Sequence, residues 1–82
     1  MSFIVYILKT SGDTFYVGQT SNLDKRLIDH KSKKGAKYLR MFSSFKLVYT
    51  ETYSTRSDAL KREFEIKKLT KKQKISLINN LC

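Results

Sequence analysis

The sequence predicts an α/β chain of the α+β type, a three-stranded antiparallel sheet flanked by helices in the order β-β-α-β-α-α. Three observations predict it. Two apolar runs rich in β-branched and aromatic residues stand on either side of the turn-forming Ser11-Gly12-Asp13. A third run alternates over Phe45–Tyr53, and three Ser/Thr-x-x-Asp/Gln spacings open helical stretches between and after the strands. Eighty-two residues hold one core, so positions 1–82 are read as a single domain.

The first strand is Phe3-Ile4-Val5-Tyr6-Ile7-Leu8 and the second Thr14-Phe15-Tyr16-Val17-Gly18-Gln19-Thr20. A two-residue turn at Ser11-Gly12 would put Tyr6 and Tyr16 on opposite faces of the hairpin. An odd loop such as Thr10-Ser11-Gly12 sets them opposite one another on one face, and this is the expected register. Gly18, two residues beyond Tyr16, clears room on that same face, as an isolated strand glycine often does for a close approach.

Ser21 and Asp24 stand at capping-box spacing before a helix expected from about Asn22 to Lys33, ending before Gly35. Its inward stripe is Leu23 and Leu27, with Arg26 and His30 a turn apart on the flank of that stripe. An arginine beside a buried stripe either snorkels outward or faces a carboxylate, carbonyls or a phosphate. The segment 31–40 is dense in lysine around Gly35 and Tyr38, and reads as a phosphate-contacting loop through Lys33, Lys34, Lys37, Tyr38 and Arg40 or as a solvated connector. The third strand should present Phe45, Leu47 and Tyr49 on one face. Thr55 with Asp58 opens a second helix through about Leu69, whose apolar arc of Ala59, Leu60, Phe64 and Ile66 encloses Glu63 and Lys67. Thr70 with Gln73 opens a short last helix carrying Ile75, Leu77 and Ile78, and Lys67, Lys68, Lys71, Lys72 and Lys74 read as a solvated face.

Charge is the strongest compositional signal. Seventeen Lys and Arg against seven Asp and Glu give a net charge of +10, which calls for a polyanionic partner. The basic stretches lack the Trp and the strong apolar face of a membrane-surface helix, and the run Phe3–Leu8 is too short for a span or a signal. With Cys82 as the only cysteine, an intrachain disulfide and a four-cysteine zinc site are excluded, and a soluble intracellular setting is expected.

Tyr6, Tyr16, Arg26, His30 and Glu63 together supply what phosphodiester cleavage needs. A carboxylate holds Mg²⁺ or Mn²⁺, an arginine stabilises the charge of the pentavalent transition state, and a tyrosine hydroxyl assisted by His30 relays the proton of the attacking water. The same residues resemble the GIY-YIG nucleases. Ile4-Val5-Tyr6 and Tyr16-Val17-Gly18 stand where that family's two half-motifs are expected, Leu23, Arg26 and His30 match its helix, and Ala59-Leu60 followed by Glu63 matches its metal-binding helix. Lys34-Gly35-Ala36-Lys37-Tyr38 and Glu65-Ile66-Lys67 are like those of its small stand-alone members, with Ile4 in place of the first glycine and Val17 in place of isoleucine.

The resemblance implies a three-stranded sheet with flanking helices and hydrolysis of DNA with Mg²⁺ or Mn²⁺. The counterpart of Tyr6 is the usual general base, that of Tyr16 lines the site, that of Arg26 contacts phosphate, that of Glu63 holds the metal, and that of His30 helps handle protons. Branched or flapped DNA is the expected substrate, in repair, recombination or processing, because so small a chain has little surface for base readout. RNA stays open as a substrate, as do a homodimer and a protein partner. The competing reading is a non-catalytic or partner-activated nucleic-acid-binding module on the same scaffold.

Overall fold

Threonines close the first hairpin. Strands β1 (Phe3–Thr10) and β2 (Phe15–Thr20) pair antiparallel, and the Thr10 amide donates to the Thr14 carbonyl at 2.9 Å. The two hydroxyls lie 2.7 Å apart, so residues 11–13 are left as the connection. The loop is odd, as the tyrosine pattern requires, but sits one residue further along than Thr10-Ser11-Gly12. Every cross-strand partner therefore moves by two: Tyr6 faces Gly18, and Tyr16 faces Leu8. A two-residue shift preserves faces, so the two tyrosines share one but stand diagonally rather than opposite. The computed structural model from which this fold is taken describes residues 2–12, 14–31 and 44–79.

Strand β3 (Phe45–Tyr53) joins the other side of β1 antiparallel, giving the order β2-β1-β3. It carries a bulge: Ile7 pairs with Tyr49 and Leu8 with Leu47, so Val48 is an extra residue in the ladder. Strict alternation fails there. Phe45 packs beside Tyr6 and Leu8, whereas Tyr49 packs with Val5 and Ile7 on the other face, which corrects the expectation that Phe45, Leu47 and Tyr49 line up together.

The helices divide between those two faces. Helix α1 (Leu23–Lys31) starts at Asn22, whose side-chain oxygen accepts the Lys25 amide at 3.1 Å, so Asn22 rather than Ser21 is the cap. Leu23 and Leu27 pack onto the Tyr6 and Leu8 side of the sheet. Helix α2 (Arg56–Lys67) is capped by Thr55, which accepts from the Asp58 amide at 3.2 Å. Its Ala59 and Ile66 are fully buried against Val5, Ile7 and Val17. Leu60 and Phe64, placed in the apolar arc by sequence, are 46% and 60% exposed. The arc is narrower than the residue types suggest, and Phe64 carries the Lys68 ammonium over its ring at 4.3 Å. Helix α3 (Lys71–Asn79) has the full reciprocal box, with the Gln73 amide donating to Thr70 Oγ1 at 3.2 Å and the Thr70 amide to Gln73 Oε1 at 2.9 Å. Leu77 and Ile78 rest on the α2 side of the sheet. Among the described residues no helix is long and apolar enough to cross a membrane.

Candidate active site at the edge of the sheet

The site is built on what Gly18 lacks. Tyr6 is 1% exposed on the central strand, and its ring lies across Gly18 on the neighbouring outer strand. A Cβ on Gly18 would stand 2.5 Å from the Tyr6 hydroxyl oxygen and 2.7 Å from Cζ, so only glycine lets the phenol pass. Since adjacent strands lie about 4.8 Å apart, the ring spans that gap and delivers its hydroxyl over the outer strand. Tyr16, on the same face, has its ring centroid 6.3 Å from that of Tyr6 at an interplanar angle of 39°, and the two phenols are hydrogen-bonded.

Burial, followed by the neighbouring Tyr16, pushes the Tyr6 phenol well above the usual tyrosine range. The Arg26 guanidinium pulls it back, the Glu63 carboxylate adds to the rise, and the hydrogen bond with Tyr16 raises it further. Arg26 belongs to α1 on one face of the sheet and Glu63 to α2 on the other, and both charges are felt at Tyr6. Arg26 is exposed rather than tucked against the buried stripe, and it borders a surface depression with Thr20, Ser21, Asn22 and Lys25. A freely accessible guanidinium suits an external phosphate better than an internal carboxylate.

Glu63 lies on the sheet-facing side of α2, one turn from both Ala59 and Ile66, with its side chain only 16% exposed. Its Oε1 accepts from Lys67 Nζ at 3.0 Å. Glu63 thus lies on the buried stripe as the arc predicts, whereas Lys67, set inside the same arc, is 54% exposed. Glu63 is an isolated carboxylate in the sense that no group of three or more His, Cys, Asp or Glu side chains suited to a metal exists among the described residues. Gln19 Oε1, on the α2 side of β2, is buried without a hydrogen-bond partner among the described residues. His30 falls in α1 one turn beyond Arg26, and its side chain lies outside the described residues, as do Lys33, Lys34, Lys37, Tyr38 and Arg40.

Sequence reasoning missed a second polar cluster. Glu51 on β3 takes a two-pronged contact from Arg62, Nε to Oε1 at 2.8 Å and the other guanidinium nitrogen to Oε2 at 3.0 Å, and also accepts from the Tyr49 and Tyr53 hydroxyls. Burial opposes the Glu51 charge, but the donors outweigh it and hold the carboxyl below its usual range. The hydrogen bond to Glu51 pushes the Tyr53 phenol up to about 12. Tyr49, Glu51 and Tyr53 alternate on one face, and Arg62 precedes Glu63 on the helix, so this cluster fixes the rotation of α2 next to Glu63. The period-2 spacing of Tyr49, Glu51 and Tyr53 was the available signal; only the bulge reveals which face it serves.

A three-stranded β2-β1-β3 sheet with two tyrosines at its edge, an arginine from one layer and a glutamate from the other defines a GIY-YIG type of nuclease domain. The family model described as the GIY-YIG catalytic domain matches residues 2–76. A UPF0213 protein of Staphylococcus epidermidis is 46% identical over 74 residues, covering 90% of each chain. One of Clostridium perfringens is 46% identical over 76 residues, covering 93% of this chain and 82% of its own. The solution structure of the UPF0213 protein BH0048 from Bacillus halodurans superposes with a TM-score of 0.65 at 36% identity, over 99% of this chain and 86% of that one. The chain belongs to the GIY-YIG family, within its UPF0213 group. GIY-YIG is an endonuclease family, and membership implies a nucleic-acid substrate.

Proposed function

We propose that the protein is a single-domain, divalent-metal-dependent endonuclease that hydrolyses phosphodiester bonds in DNA of distorted structure. The arrangement that carries the reading is the Tyr6 ring lying across Gly18 with Tyr16 beside it, flanked by Arg26 of α1 and Glu63 of α2, whose charges both act on the Tyr6 phenol. Arg26, exposed and forked, binds the scissile phosphate and stabilises the charge that grows on it. Glu63 would hold the metal. A single carboxylate suits Mg²⁺ or Mn²⁺, which keep several waters and complete their shell with phosphate oxygens. When bound, such an ion supplies Lewis-acid polarisation of the phosphate.

Tyr6 keeps its proton at neutral pH, because burial and its neighbours favour the neutral phenol. Its role is that of a relay, accepting a proton from the attacking water as it passes its own to Tyr16, which in turn releases its phenolic proton to solvent. His30, one turn from Arg26, assists that transfer. Lys33, Lys34, Lys37, Tyr38 and Arg40 belong to the backbone-binding surface, and the net charge of +10 supports a polyanion as partner.

The deciding experiment incubates labelled duplex, flap, junction and single-stranded DNA with the protein and Mg²⁺, Mn²⁺ or chelator, alongside Glu63→Gln. Metal-dependent cleavage should vanish in the variant while affinity for DNA persists or rises. Cleavage by Glu63→Gln at the parent rate would overturn the assignment.

A further inference from the structure

Gln19 Oε1 is the one buried side-chain oxygen or nitrogen without a hydrogen-bond partner among the described residues. It is a carbonyl oxygen, which accepts and cannot donate. A buried acceptor that lacks a donor destabilises a fold, and in native proteins it is ordinarily met by a water or an ion.

The topology sets that oxygen level with Glu63. Gln19 pairs with Val5 and lies two residues beyond Val17 on β2, so its side chain is on the α2 face. Strand β3 ends at Tyr53 opposite Phe3, the end of the sheet at which Ile4 meets Thr20. Helix α2 turns back from that end, and its last residue, Lys67, borders a surface depression with Phe15, Tyr16 and Val17. One turn back from Lys67, about 6 Å along the helix, stands Glu63. Two residues of strand cover about the same distance and lead from Val17 to Gln19. The Glu63 charge felt at Tyr6, whose ring lies across Gly18, agrees with that level.

Lys67 shows that this place attracts a cation. Its ammonium stands 3.0 Å from Glu63 Oε1 while the side chain is 54% exposed, so it can withdraw into solvent. It satisfies Glu63 and leaves Gln19 unmet. Neither the carboxylate nor the amide oxygen can donate to the other, whereas a hard divalent cation takes oxygens of both kinds. We infer that Gln19 Oε1 is the second protein oxygen of a divalent-cation site whose first is Glu63, with Lys67 yielding its place to the ion. The assignment rests on the metal-dependent reading of the candidate site and adds a neutral ligand to it. The carboxylate supplies charge, and the amide fixes position without the repulsion that a second carboxylate would bring.

The test titrates the full chain with Mn²⁺ in the absence of nucleic acid and reads the free ion by electron paramagnetic resonance, for the parent, Gln19→Met, Gln19→Glu and Glu63→Gln. Gln19→Met keeps the stem, removes the oxygen and should weaken Mn²⁺ binding about 10-fold. Gln19→Glu keeps an oxygen there and should bind at least as tightly as the parent. In EDTA the urea midpoint of Gln19→Met should equal or exceed that of the parent, because the orphaned acceptor is gone; a lower midpoint would show the oxygen already partnered and refute the inference. Binding by Gln19→Met within about twofold of the parent, or an equal loss in Gln19→Glu, would overturn the assignment and leave Gln19 to a bound water. A parent chain that takes up no Mn²⁺, or Glu63→Gln taking it up equally, would instead defeat the metal reading itself. A second measurement needs no variant. The chain has two glutamines, and Mg²⁺ should shift the side-chain carbonyl carbon resonance of Gln19 and not that of Gln73, whose oxygen accepts from the Thr70 amide. A Gln19 resonance unmoved in the Mg²⁺-saturated chain would sink the proposal.

Discussion

Replacing Gly18 by alanine tests the geometry on which the site depends. The added methyl carbon would stand 2.5 Å from the Tyr6 hydroxyl oxygen, 2.7 Å from Cζ and 3.2 Å from Cε1, where ordinary contacts begin at 3.4 Å. The ring must retreat by roughly 1 Å at its hydroxyl end, yet Tyr6 is 1% exposed and packed with Leu8, Tyr16, Leu23 and Leu27. Overpacking of that kind costs about 1–3 kcal/mol of folding stability. A displacement of about 1 Å at a reacting group lowers the rate roughly 100-fold. Urea denaturation of Gly18→Ala, Tyr6→Leu and the double variant separates the clash from any general preference of the strand for glycine. Leucine lacks the three atoms that the new methyl would meet, so the alanine should cost at least about 1 kcal/mol less in the Tyr6→Leu background, a coupling typical of contacting side chains. An identical cost in both backgrounds would show that Tyr6 does not lie across Gly18, and the edge placement of its hydroxyl would fall with it.

Arg26→Ala should lower the cleavage rate by roughly 100-fold, about 3 kcal/mol of transition-state stabilisation, with little change in urea midpoint because the side chain is exposed; a rate within threefold of the parent refutes the role. Glu51→Gln should destabilise the fold by about 1–3 kcal/mol at neutral pH, since Arg62, Tyr49 and Tyr53 lose a charged acceptor. Because the folded Glu51 carboxyl lies below its usual range, that contribution is present above the ordinary carboxylate range and is lost as pH falls through the folded value, so the gap between parent and variant should close on acidification. Tyr53 has the opposite sign: its phenol rises from 10.0 to about 12, so the stability it contributes is present below pH 10 and should fade between those values, and a Tyr53→Phe difference unchanged across that window would contradict the Glu51 contact. Thr70→Ala removes the acceptor of the Gln73 amide and should cost about 1 kcal/mol, read as a lower urea midpoint; an unchanged midpoint would mean that the box does not anchor α3.

Much of this fold is legible in local chemistry. The cap residues Thr55 and Thr70 announce their helices because the hydroxyl and its amide are three residues apart in the chain. The shared face of Tyr6 and Tyr16 follows from loop parity alone, but their diagonal offset does not, since Thr10 and Thr14 choose the register by closing the turn on themselves. The same limit hides the bulge at Val48: the apolar run Leu47-Val48-Tyr49 breaks the alternation, but the residue types do not say which of the three is the extra one. Exposure is harder still to read. Arg26, Leu60 and Phe64 have the periodicity of half-buried positions, and the width of the groove that α1 and α2 actually cover decides that they face outward. Glu63 is the most readable of the candidate residues, because a carboxylate between alanine and isoleucine on one stripe has no ordinary place in a core.

The bulge at Val48 also governs which changes of chain length this protein can absorb. One strand serves two layers: Phe45 joins the tyrosine side, and Tyr49, Glu51 and Tyr53 join the side of Arg62, with the crossover at a single residue. Deleting Val48 would be no mere shortening. It would straighten the ladder and rotate everything on one side of it by half a turn, sending either Phe45 into the wrong layer or the Glu51 carboxylate away from its guanidinium. Length variation among proteins built this way should accordingly spare the third strand and collect in the segments that join the elements, even though the extra residue is itself an unremarkable valine.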